Sequence, residues 1–488
     1  MSLLPGLPFD FSGIHLNPEQ GLTQQLYQAL RLRILDGQLA HQTRLPATRD
    51  LARQLGVSRN TVIRAFDQLY AEGFIESRVG DGTYVAAPIQ IALDTTPPAG
   101  AEPVSRLHGT QLEAPFLSPP PQGTPRAFRV GVPAFDLFPF DTWARLQARF
   151  WRRASLDSLG YADPAGNRRL REWIAVYLRS ARGLSCSAEQ IIVTSGAQQA
   201  INLCATVLLQ PGDSVGIENP GYRAVGKAFA SRGIRLCGVP VDMEGLKVEA
   251  LVAWPACRLV YVTPSHQYPT GVTLSLPRRL QLLEWAAATN GWIIEDDYDG
   301  EYRYSGTPLA PLAALDRQGR VFYVGTFSKI AFPGLRLGYL VVPPGLAERF
   351  AHQQALDVRH LEVSTQAVMA DFIAEGHFQR HIRRMRRAAR ARRNALIQDW
   401  PADIAPLPSL VAGLHACVRL NSVVREEELI EQARAVGIEI NPLSDYWLPD
   451  TRMSGDERAG LVLGFASITE KQIIEALTTL RRAWRCSV

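Results

Sequence analysis

The chain has 488 residues, more than one average domain holds, so we expect roughly two to four domains. Its hydrophobic content of 46%, charged content of 20% and formal net charge of +5 are those of an ordinary soluble globular protein. The six cysteines show no CxxC spacing, and neither a long apolar run nor a signal peptide is evident. These features argue against a zinc site, a disulfide framework and a membrane span. We expect a cytoplasmic protein with reduced thiols.

The first 86 residues show the apolar spacing of short helices followed by a hairpin. Apolar residues in 22–35 recur at helical spacing. Thr48 is predicted to cap a short helix, and Ser58 is predicted to cap a second one after a tight glycine turn. Two β-segments, 74–77 and 82–86, flank a glycine-rich turn. This order of elements predicts a winged helix-turn-helix.

Positive charge in this segment is concentrated on the two helices that would approach DNA. Residues 44–64 contain five arginines and one acidic residue, whereas 19–85 contains eight arginines and seven acids. Arginines suit contacts with phosphates, and polar side chains at the start of the second helix suit contacts with base edges. The predicted DNA contacts are Arg44, Arg49, Ser58, Arg59, Asn60, Thr61, Arg64 and Gly82. The alternative is a small helical scaffold with a solvated arginine face.

Two strings in this segment, LPATRDLARQLGVSRNTV and AEGFIESRVGDGTYV, resemble the GntR-type winged-helix domain almost end to end. The resemblance implies a DNA-binding domain over residues 15–86. The following stretch, 87–127, is rich in proline and small residues and has no sustained hydrophobic period. Such a composition predicts an extended linker rather than a folded unit.

From residue 128 to residue 488, short apolar β-runs alternate with helical patterns. The predicted strands are 191–193, 214–217, 259–262, 292–294 and 321–324. Because these runs are apolar on both faces and are separated by helices, they predict an α/β domain with a parallel sheet covered on both sides. Residues 395–485 predict a small C-terminal α+β lobe. In such a sheet, ligands bind at the carboxyl ends of the strands.

Polar motifs follow the ends of these strands. Gly196 and Ala197 open a helix after the first strand, and the free N–H groups of a helix start suit a phosphate ester. Tyr222 follows the second strand and could lie against a planar ring, although ordinary packing explains it equally well. Each motif by itself is a weak signal, and their order along the chain makes the case.

Asp296 ends a buried strand, where its carboxylate needs a partner. A protonated pyridine nitrogen would be one, and Tyr298, two residues further on, could meet an oxygen of the same ring. The alternative is a metal cluster formed by the acidic residues of 295–299, but no histidine or cysteine joins them in spacing.

Lys329 lies on a short hydroxylic turn after the strand 321–324 and is one of only four lysines in the chain. A lysine can be deprotonated, whereas an arginine stays charged, so its use here indicates amine chemistry. Thr326 and Arg336 flank it and suit a phosphate. The pattern fits a Schiff base to a phosphorylated aldehyde. A solvated surface lysine is the alternative.

The order of these motifs resembles the fold-type I aminotransferase domain that depends on pyridoxal 5'-phosphate, and the resemblance extends over residues 128–488. It implies that Lys329 forms the Schiff base, Asp296 pairs with the pyridine nitrogen, and Tyr298 contacts the phenolic oxygen. It also implies that Tyr222 stacks on the cofactor ring. The phosphate contacts implied are Gly196, Ala197, Thr326 and Arg336, with Tyr161 supplied by a dimer partner.

Two positions depart from that family. Most such enzymes have asparagine before Pro-Thr-Gly, and this chain has Tyr268 there. The last β-run looks like the strand on which transaminases of α-amino acids carry the arginine for the substrate carboxylate, and Val462 occupies that place. The second departure argues against turnover of ordinary α-amino acids.

Residues 378–393 contain eight arginines in sixteen positions. The segment predicts a long helix with arginines all round. It could contact nucleic acid, or it could be a solvated connection to the C-terminal lobe, and the sequence leaves both interpretations open.

The strings SHQYPTG and EDDYDGEYRY, with a GntR-type head fused to an aminotransferase-like domain, resemble the MocR/GabR-type transcriptional regulators. The resemblance implies a homodimer, with each DNA-binding head packed on the partner's large domain. The predicted partners are operator DNA and a small-molecule effector: an amine, an amino acid or the cofactor itself. The alternatives are an active transaminase with an appended DNA-binding domain and a DNA-binding protein whose large domain is only a scaffold.

Overall fold

The computed structural model of the chain describes residues 13–18, 21–78, 80–86, 123–305, 309–449 and 454–485. The chain divides into two compact units, Met1–Gly109 and Thr110–Val488. The division falls inside the predicted linker 87–127, of which residues 87–122 lie outside the described residues. The domain limits 15–86 and 128–488 therefore stay predictions.

The N-terminal unit is a winged helix-turn-helix, as the sequence predicted. Its elements are α1 (Leu22–Leu35), β1 (Arg44–Leu45), α2 (Thr48–Leu55), α3 (Arg59–Ala71), β2 (Ile75–Arg78) and β3 (Gly82–Val85). The strands form an antiparallel sheet in the order β1-β3-β2. One apolar core joins the three helices, and Leu26, Leu30, Leu51 and Val62 within it are fully buried. The helical spacing of apolar residues thus placed this core correctly.

The two predicted helix caps differ in outcome. Ser58 caps α3, since its Oγ accepts a hydrogen bond from the Thr61 backbone N–H at 3.1 Å. Thr48 does not cap α2, because the helix already begins at Thr48 and Ala47 is the cap residue, with no side-chain bond. The strand β1 was not predicted, because two residues are too short to show a period.

An eight-stranded sheet forms the centre of the large unit. Its strands are β4 (Ile191–Thr194), β5 (Ser214–Asn219), β6 (Arg235–Asp242), β7 (Gly245–Leu246), β8 (Cys257–Val262), β9 (Trp292–Asp297), β10 (Val321–Thr326) and β11 (Gly338–Val341). The strand order is β4-β11-β10-β9-β8-β5-β6-β7. All five predicted strands belong to this sheet.

The prediction of a parallel sheet needs one correction, because the sheet is mixed. The strand β11 is antiparallel to both of its neighbours, and β7 is antiparallel to β6. The connection between β10 and β11, residues 327–337, is too short for the helical crossover that a parallel pair requires. This short connection keeps Arg336 near the carboxyl ends of β4 and β10, because Gly338 at the start of β11 pairs with Thr194 and Thr326.

Helices cover both faces of the sheet, so its strands are buried on each side. They are α4 (Phe140–Arg152), α5 (Leu156–Leu159), α6 (Arg168–Arg182), α7 (Ala197–Leu208), α8 (Arg223–Ala230), α9 (Leu276–Thr289), α10 (Leu312–Leu315), α11 (Ala347–Val358) and α12 (Val363–Ala374). The strands β8, β9 and β10 run parallel to one another, which places their carboxyl ends at one edge. The polar motifs follow these ends.

The long arginine-rich helix α13 (His377–Asp399) leads into a C-terminal α+β lobe, as predicted. The lobe contains β12 (His415–Arg419), α14 (Val423–Ala435), β13 (Asn441–Pro442), β14 (Gly460–Gly464) and α15 (Glu470–Arg485). Its strands form an antiparallel sheet in the order β12-β14-β13, which packs with α13, α14 and α15 around a shared core. None of the described helices is long and apolar enough to cross a membrane. The five described cysteines are buried free thiols.

Candidate cofactor site and DNA-binding surface

Lys329 lies on the turn after β10, where its amine faces a pocket. The Lys329 Nζ donates a hydrogen bond to the backbone oxygen of Gly131 at 2.7 Å. Desolvation lowers the pKa of Lys329, and the negative charges of Asp299 and Asp296 partly oppose that shift. A larger fraction of the amine is therefore neutral, and hence nucleophilic, than for a solvated lysine.

Asp296, at the end of β9, has one satisfied and one unsatisfied carboxylate oxygen. Its Oδ2 accepts a hydrogen bond from the Tyr261 hydroxyl at 2.7 Å, while Oδ1 is buried with no partner among the described residues. Burial raises the pKa of Asp296 to about 7, although the bond from Tyr261 opposes the shift. Because a buried unpaired oxygen is costly, Oδ1 is suited to a ligand that donates a proton or bears positive charge.

Tyr298 belongs to a polar cluster beside Asp296. The Nδ1 of His266 lies 3.0 Å from the Tyr298 hydroxyl and 3.0 Å from Asp299 Oδ2. A carboxylate only accepts, so Nδ1 holds the proton for Asp299 and the Tyr298 hydroxyl keeps its own proton for a ligand. Burial lowers the pKa of His415, whose ring centroid is 4.8 Å from that of His266, to about 3. His415 is therefore neutral.

The start of α7 and the turn that holds Arg336 form the phosphate end of the pocket. Gly196 precedes the helix with φ 82°, and a Cβ there would lie 3.4 Å from the Arg336 guanidinium. The Arg336 Nη2 donates to the backbone oxygen of Ser195 at 2.7 Å. The hydroxyl of Thr326 lies 3.0 Å from that of Ser328. A helix N-terminus beside a guanidinium and hydroxyls is an anion-binding arrangement.

These groups line one pocket with a volume of about 230 Å³. The sequence-predicted residues on its wall are Ala197, Tyr222, Asp296, Tyr298, Thr326, Lys329 and Arg336. Gly196 adjoins the wall through Arg336. Tyr161 is the exception, since it does not line this pocket and its side chain is 80% exposed beneath the Arg359 guanidinium. Its assignment to a partner's pocket stays a prediction.

Sequence reasoning missed several residues of the pocket: Gly131, Tyr261, Thr263, Leu414 and His415. Gly131 and His415 lie far from the motifs along the chain, and only the fold brings them together. His266 lies in the string SHQYPTG, which marked the family, but nothing in the sequence gave it a role. Tyr261 lies within a β-run, where a tyrosine is expected as packing.

Tyrosines form the wall opposite Lys329. Tyr268 contacts Tyr222, Tyr298 and His415 edge to face, with ring centroids 5.2 to 5.8 Å apart. Its hydroxyl is 3.2 Å from that of Tyr446. The tyrosine that replaces the usual asparagine is therefore half-buried among aromatic rings, and its hydroxyl pairs with that of Tyr446.

Val462 is fully buried and packs in a small apolar cluster with Cys417 and Leu443, against which Val130 and Tyr446 lie. The charged side chains on the pocket wall are Lys329, Arg336 and Asp296. A ligand carboxylate would therefore have to compete for the two cations at the amine and phosphate positions.

The acidic string 295–299 does not form the metal cluster considered as an alternative. The Glu295 oxygens accept backbone hydrogen bonds from Leu312 and Ala313, while Asp297 pairs with Arg182 and accepts a hydrogen bond from Tyr323. In the described part of the chain, potential metal-ligating atoms cluster instead in His266, Asp299 and His415, within 4.8 Å of one another. Hydrogen bonds within the protein already engage the first two, and His415 Nε2 contacts the Pro269 oxygen at 3.0 Å.

The predicted DNA contacts lie on β1, α2, α3 and β3 and at the start of α3. Arg44, Arg49, Arg59 and Arg64 are exposed and make no ion pair with any residue that the structure describes. The hydroxyls of Ser58 and Thr61 lie 2.8 Å apart at the first turn of α3, beside the exposed Asn60. Gly82 adjoins Arg44, since a Cβ there would lie 3.0 Å from its Nε. Unpaired arginines beside a helix start suit phosphate contacts.

The pocket fits pyridoxal 5'-phosphate on three structural grounds. The unpartnered Asp296 Oδ1 suits a pyridine N–H, and a lysine amine of lowered pKa suits an aldehyde. The glycine turn at Gly196 leaves the α7 N-terminus and Arg336 open to a phosphate. Taken together, the fold and site define a winged helix-turn-helix joined to a fold-type I aminotransferase domain.

Comparisons with known proteins agree with this class. Residues 22–85 match the family "Bacterial regulatory proteins, gntR family", and residues 127–443 match "Aminotransferase class I and II". The structure superposes on a kynurenine aminotransferase of Pyrococcus horikoshii with a TM-score of 0.67 and 29% identity, covering 75% of this chain and 92% of that one. LysN of Thermus thermophilus, an α-aminoadipate aminotransferase, gives a TM-score of 0.66 at 28% identity, covering 74% and 92%.

The relatives that match along the whole chain are regulators. The probable rhizopine catabolism regulatory protein MocR of Rhizobium meliloti is 40% identical over 94% of this chain and 93% of its own length. The pyridoxine biosynthesis regulator PdxR of Corynebacterium glutamicum is 32% identical over 94% and 95%. The chain belongs to the MocR family of transcriptional regulators, which join a GntR-type DNA-binding domain to an aminotransferase-like domain.

Proposed function

We propose that this regulator binds pyridoxal 5'-phosphate in the pocket around Lys329 and uses it to sense a small amine. The observation on which the proposal depends is the pairing of a desolvated lysine amine with the unpartnered Asp296 Oδ1 in one pocket. When bound, the cofactor supplies an aldehyde that reacts with primary amines and a ring that withdraws electrons. The residues of the chain supply orientation and charge.

We assign each residue a role that fits its contacts. Lys329 would hold the aldehyde, and the carboxylate of Asp296 would keep a proton on the ring nitrogen. Tyr298 would donate a hydrogen bond to the ring oxygen, because His266 is engaged with Asp299. The assigned ring and phosphate contacts are Tyr222, Gly196, Ala197, Thr326 and Arg336, with Tyr161 from the partner.

The effector that the pocket fits best is a primary amine without an α-carboxylate. The two cations on the pocket wall, Lys329 and Arg336, are taken by the aldehyde and the phosphate. The position of a carboxylate-binding arginine is the buried Val462. The hydroxyls of Tyr268 and Tyr446 instead offer hydrogen bonds to a neutral polar group. An amino acid, or the free cofactor acting as the signal, remains the second candidate.

Effector binding would alter the large domain and so bias the DNA affinity of the heads. Such a shift is limited by the difference in effector affinity between the two states. We propose a homodimer, with residues 15–86 as the DNA-binding domain and residues 128–488 as the effector and dimerisation domain. Large apolar side chains that are exposed within a short stretch of the chain, Trp151, Leu156 and Leu159, support an interface that includes Tyr161.

The first experiment is borohydride reduction of the protein with pyridoxal 5'-phosphate, followed by peptide mapping. We expect the pyridoxyl tag on Lys329 and its loss in Lys329→Ala. A tag on Lys227, Lys247 or Lys471, or none at all, would refute the assignment. If the Lys329→Ala variant still regulates a reporter gene normally, the large domain would act only as a dimerisation scaffold.

The rival function is an active transaminase with an appended DNA-binding domain, and an assay for ketoacid product across an amino-donor panel separates it from sensing. We expect amines to change the cofactor absorbance without ketoacid product. Sustained turnover with any common α-amino acid would favour the enzyme. The structural match to solved aminotransferases supports testing this alternative.

A further inference from the structure

A wide groove runs beside the arginine-rich helix α13 in the large unit, outside the cofactor pocket. Its volume is about 860 Å³, and its wall consists of Arg303 and six arginines of α13, with Ala391 and Asn394. Among the described residues, no acidic side chain is part of that wall. The groove is therefore lined almost entirely by positive charge.

Few of these charges are neutralised inside the protein. Arg392 is the α13 arginine with a described ion pair, at 2.8 Å from Asp136, and it is buried outside the groove. Within the described part of the chain, the groove arginines make no ion pair. Arg390 Nη2 donates to the Tyr304 oxygen at 2.8 Å, and Arg386 donates to the Glu301 oxygen. Arg380 Nη2 donates to the Glu375 backbone oxygen at 3.1 Å and lies 2.9 Å from His377 Nδ1. A carbonyl oxygen satisfies a donor but does not cancel a unit charge.

Hydrogen bonds to backbone oxygens hold part of the groove in place. The backbone oxygens of Glu301 and Tyr304 fix Arg386 and Arg390, so these guanidiniums lose less entropy on binding a ligand than free ones. Arg303, on the same segment, has a buried Nε without a hydrogen-bond partner among the described residues. The string EDDYDGEYRY at the end of β9 therefore contributes Asp296 to the pocket and Arg303 to the groove.

The length over which the exposed arginines extend indicates a polyanion rather than a small anion. Arg380, Arg383, Arg384, Arg387 and Arg390 are all exposed. At a rise of 1.5 Å per residue, the helix between the first and last spans about 15 Å. Phosphates of one DNA strand advance about 3.4 Å along the duplex axis, so this length faces about four of them. A single small anion would engage only two or three guanidiniums.

We propose that the α13 groove binds the sugar-phosphate backbone of DNA flanking the operator, as a second contact independent of base sequence. The sequence left open whether 378–393 meets nucleic acid or is a solvated connection. The uncompensated charge, the fixed arginines and the length of the exposed arginine row favour nucleic acid. The contact adds salt-dependent affinity without base specificity, and it does not depend on cofactor binding.

The test uses the full-length protein without cofactor and two DNA fragments. One fragment contains only the sites of the winged helices, and the other adds flanking sequence on both sides. The variant Arg383→Ala/Arg384→Ala/Arg387→Ala removes three exposed charges. The control, Arg145→Ala/Arg317→Ala/Arg349→Ala, removes three exposed charges of the large unit away from α13. Affinity is measured by fluorescence anisotropy over a series of salt concentrations.

We expect the groove variant to bind the long fragment at least about tenfold more weakly than the control does at moderate salt. Its slope of log affinity against log salt should be shallower by about 2 to 3, since each lost phosphate contact removes about 0.9. On the short fragment the two variants should agree. Equal slopes on the long fragment, or equal losses on both fragments, would overturn the proposal. Should the alanine variant fail to fold, the same three positions are changed to glutamine and judged by the same slopes.

Discussion

Tyr261 donates its phenolic proton to Asp296 Oδ2 at 2.7 Å and leaves Oδ1 of the same carboxylate buried without a partner among the described residues. The phenol lies on β8 and the carboxylate on the neighbouring strand β9. Tyr261 therefore holds Oδ2 of Asp296 through the neighbouring strand and leaves Oδ1 available to the pocket. The bond also opposes the rise in the pKa of Asp296 that burial causes.

Tyr261→Phe is expected to weaken cofactor binding at pH 7 by about tenfold, because a hydrogen bond to a charged group contributes roughly 1.5 to 3 kcal/mol. Without the bond, the pKa of Asp296 should rise further, so affinity should recover as the pH is raised towards 9. A spectroscopic titration with cofactor measures both effects. The matched control is Tyr323→Phe, which removes a buried phenol that donates to Asp297 instead. Equal losses in the two variants would contradict the role given to Tyr261.

Asp296→Asn should change how the stability of the cofactor-free protein depends on pH. Burial raises the pKa of Asp296 to about 7, so the folded protein retains a proton that the unfolded chain loses near pH 4. The stability linked to this group is complete below about pH 4 and is lost as the pH rises through 7. The variant should therefore gain a few kcal/mol relative to the parent between pH 5 and 7.5, measured by denaturant unfolding.

The control for that experiment is Asp242→Asn. Hydrogen bonding from Arg278 lowers the pKa of Asp242 to about 2. This carboxylate is ionised in both folded and unfolded states above pH 5, so the variant's difference from the parent should stay flat across the same range. A flat profile for Asp296→Asn as well would show that Asp296 is already ionised in the folded protein.

The pH dependence of cofactor uptake tests the desolvated amine. Uptake needs the neutral form of Lys329, whose fraction rises with pH until the pKa is passed. Because burial lowers that pKa below its ordinary value of 10.5, the rate of uptake, followed by absorbance, should level off below pH 10.5. Free lysine under the same conditions is the reference. A rate that climbs steeply through pH 10.5 would mean that the amine is solvated.

A matched pair of ligands tests the preference for an amine without an α-carboxylate. Serinol and L-serine differ only by a hydroxymethyl group in place of the carboxylate. We expect serinol to shift the cofactor absorbance at concentrations at least about tenfold lower than L-serine does, since the described pocket wall has no cation other than Lys329 and Arg336 to pair with the carboxylate. Val462→Arg should narrow or reverse this difference. Tighter binding of L-serine to the parent protein would refute the effector class while leaving cofactor binding intact.

The two predicted helix caps provide a test in the DNA-binding unit. Ser58→Ala removes the side-chain acceptor for the Thr61 N–H and should destabilise α3 locally by about 1 kcal/mol. Amide exchange of α3 peptides in the full-length protein should then be about fivefold faster. Thr48→Ala is the control, because Thr48 already lies in the first turn of α2 and caps nothing. Similar acceleration of α2 exchange in that variant would contradict the cap assignment.

The sequence alone determined the two-domain class, five of the eight strands of the main sheet and seven of the sixteen residues that line the pocket. It could do so because each predicted residue lies beside a local signal: Lys329 and Arg336 beside the turn after an apolar run, Asp296 at a strand end, Gly196 at a helix start. The concentration of arginines on α2 and α3 followed in the same way from short-range charge counting. These are features that a strand or a helix start displays within a few residues.

The tertiary structure decided which residues from distant segments come into contact. It brought Gly131 to Lys329, Tyr261 to Asp296 and His415 to His266, pairs that no local period could reveal. It turned β11 antiparallel and gathered the arginines of α13 with Arg303 around one groove. Burial and partnership depend on which segments pack together, so desolvated amines, orphaned carboxylate oxygens and uncompensated charges become visible only once the chain is folded.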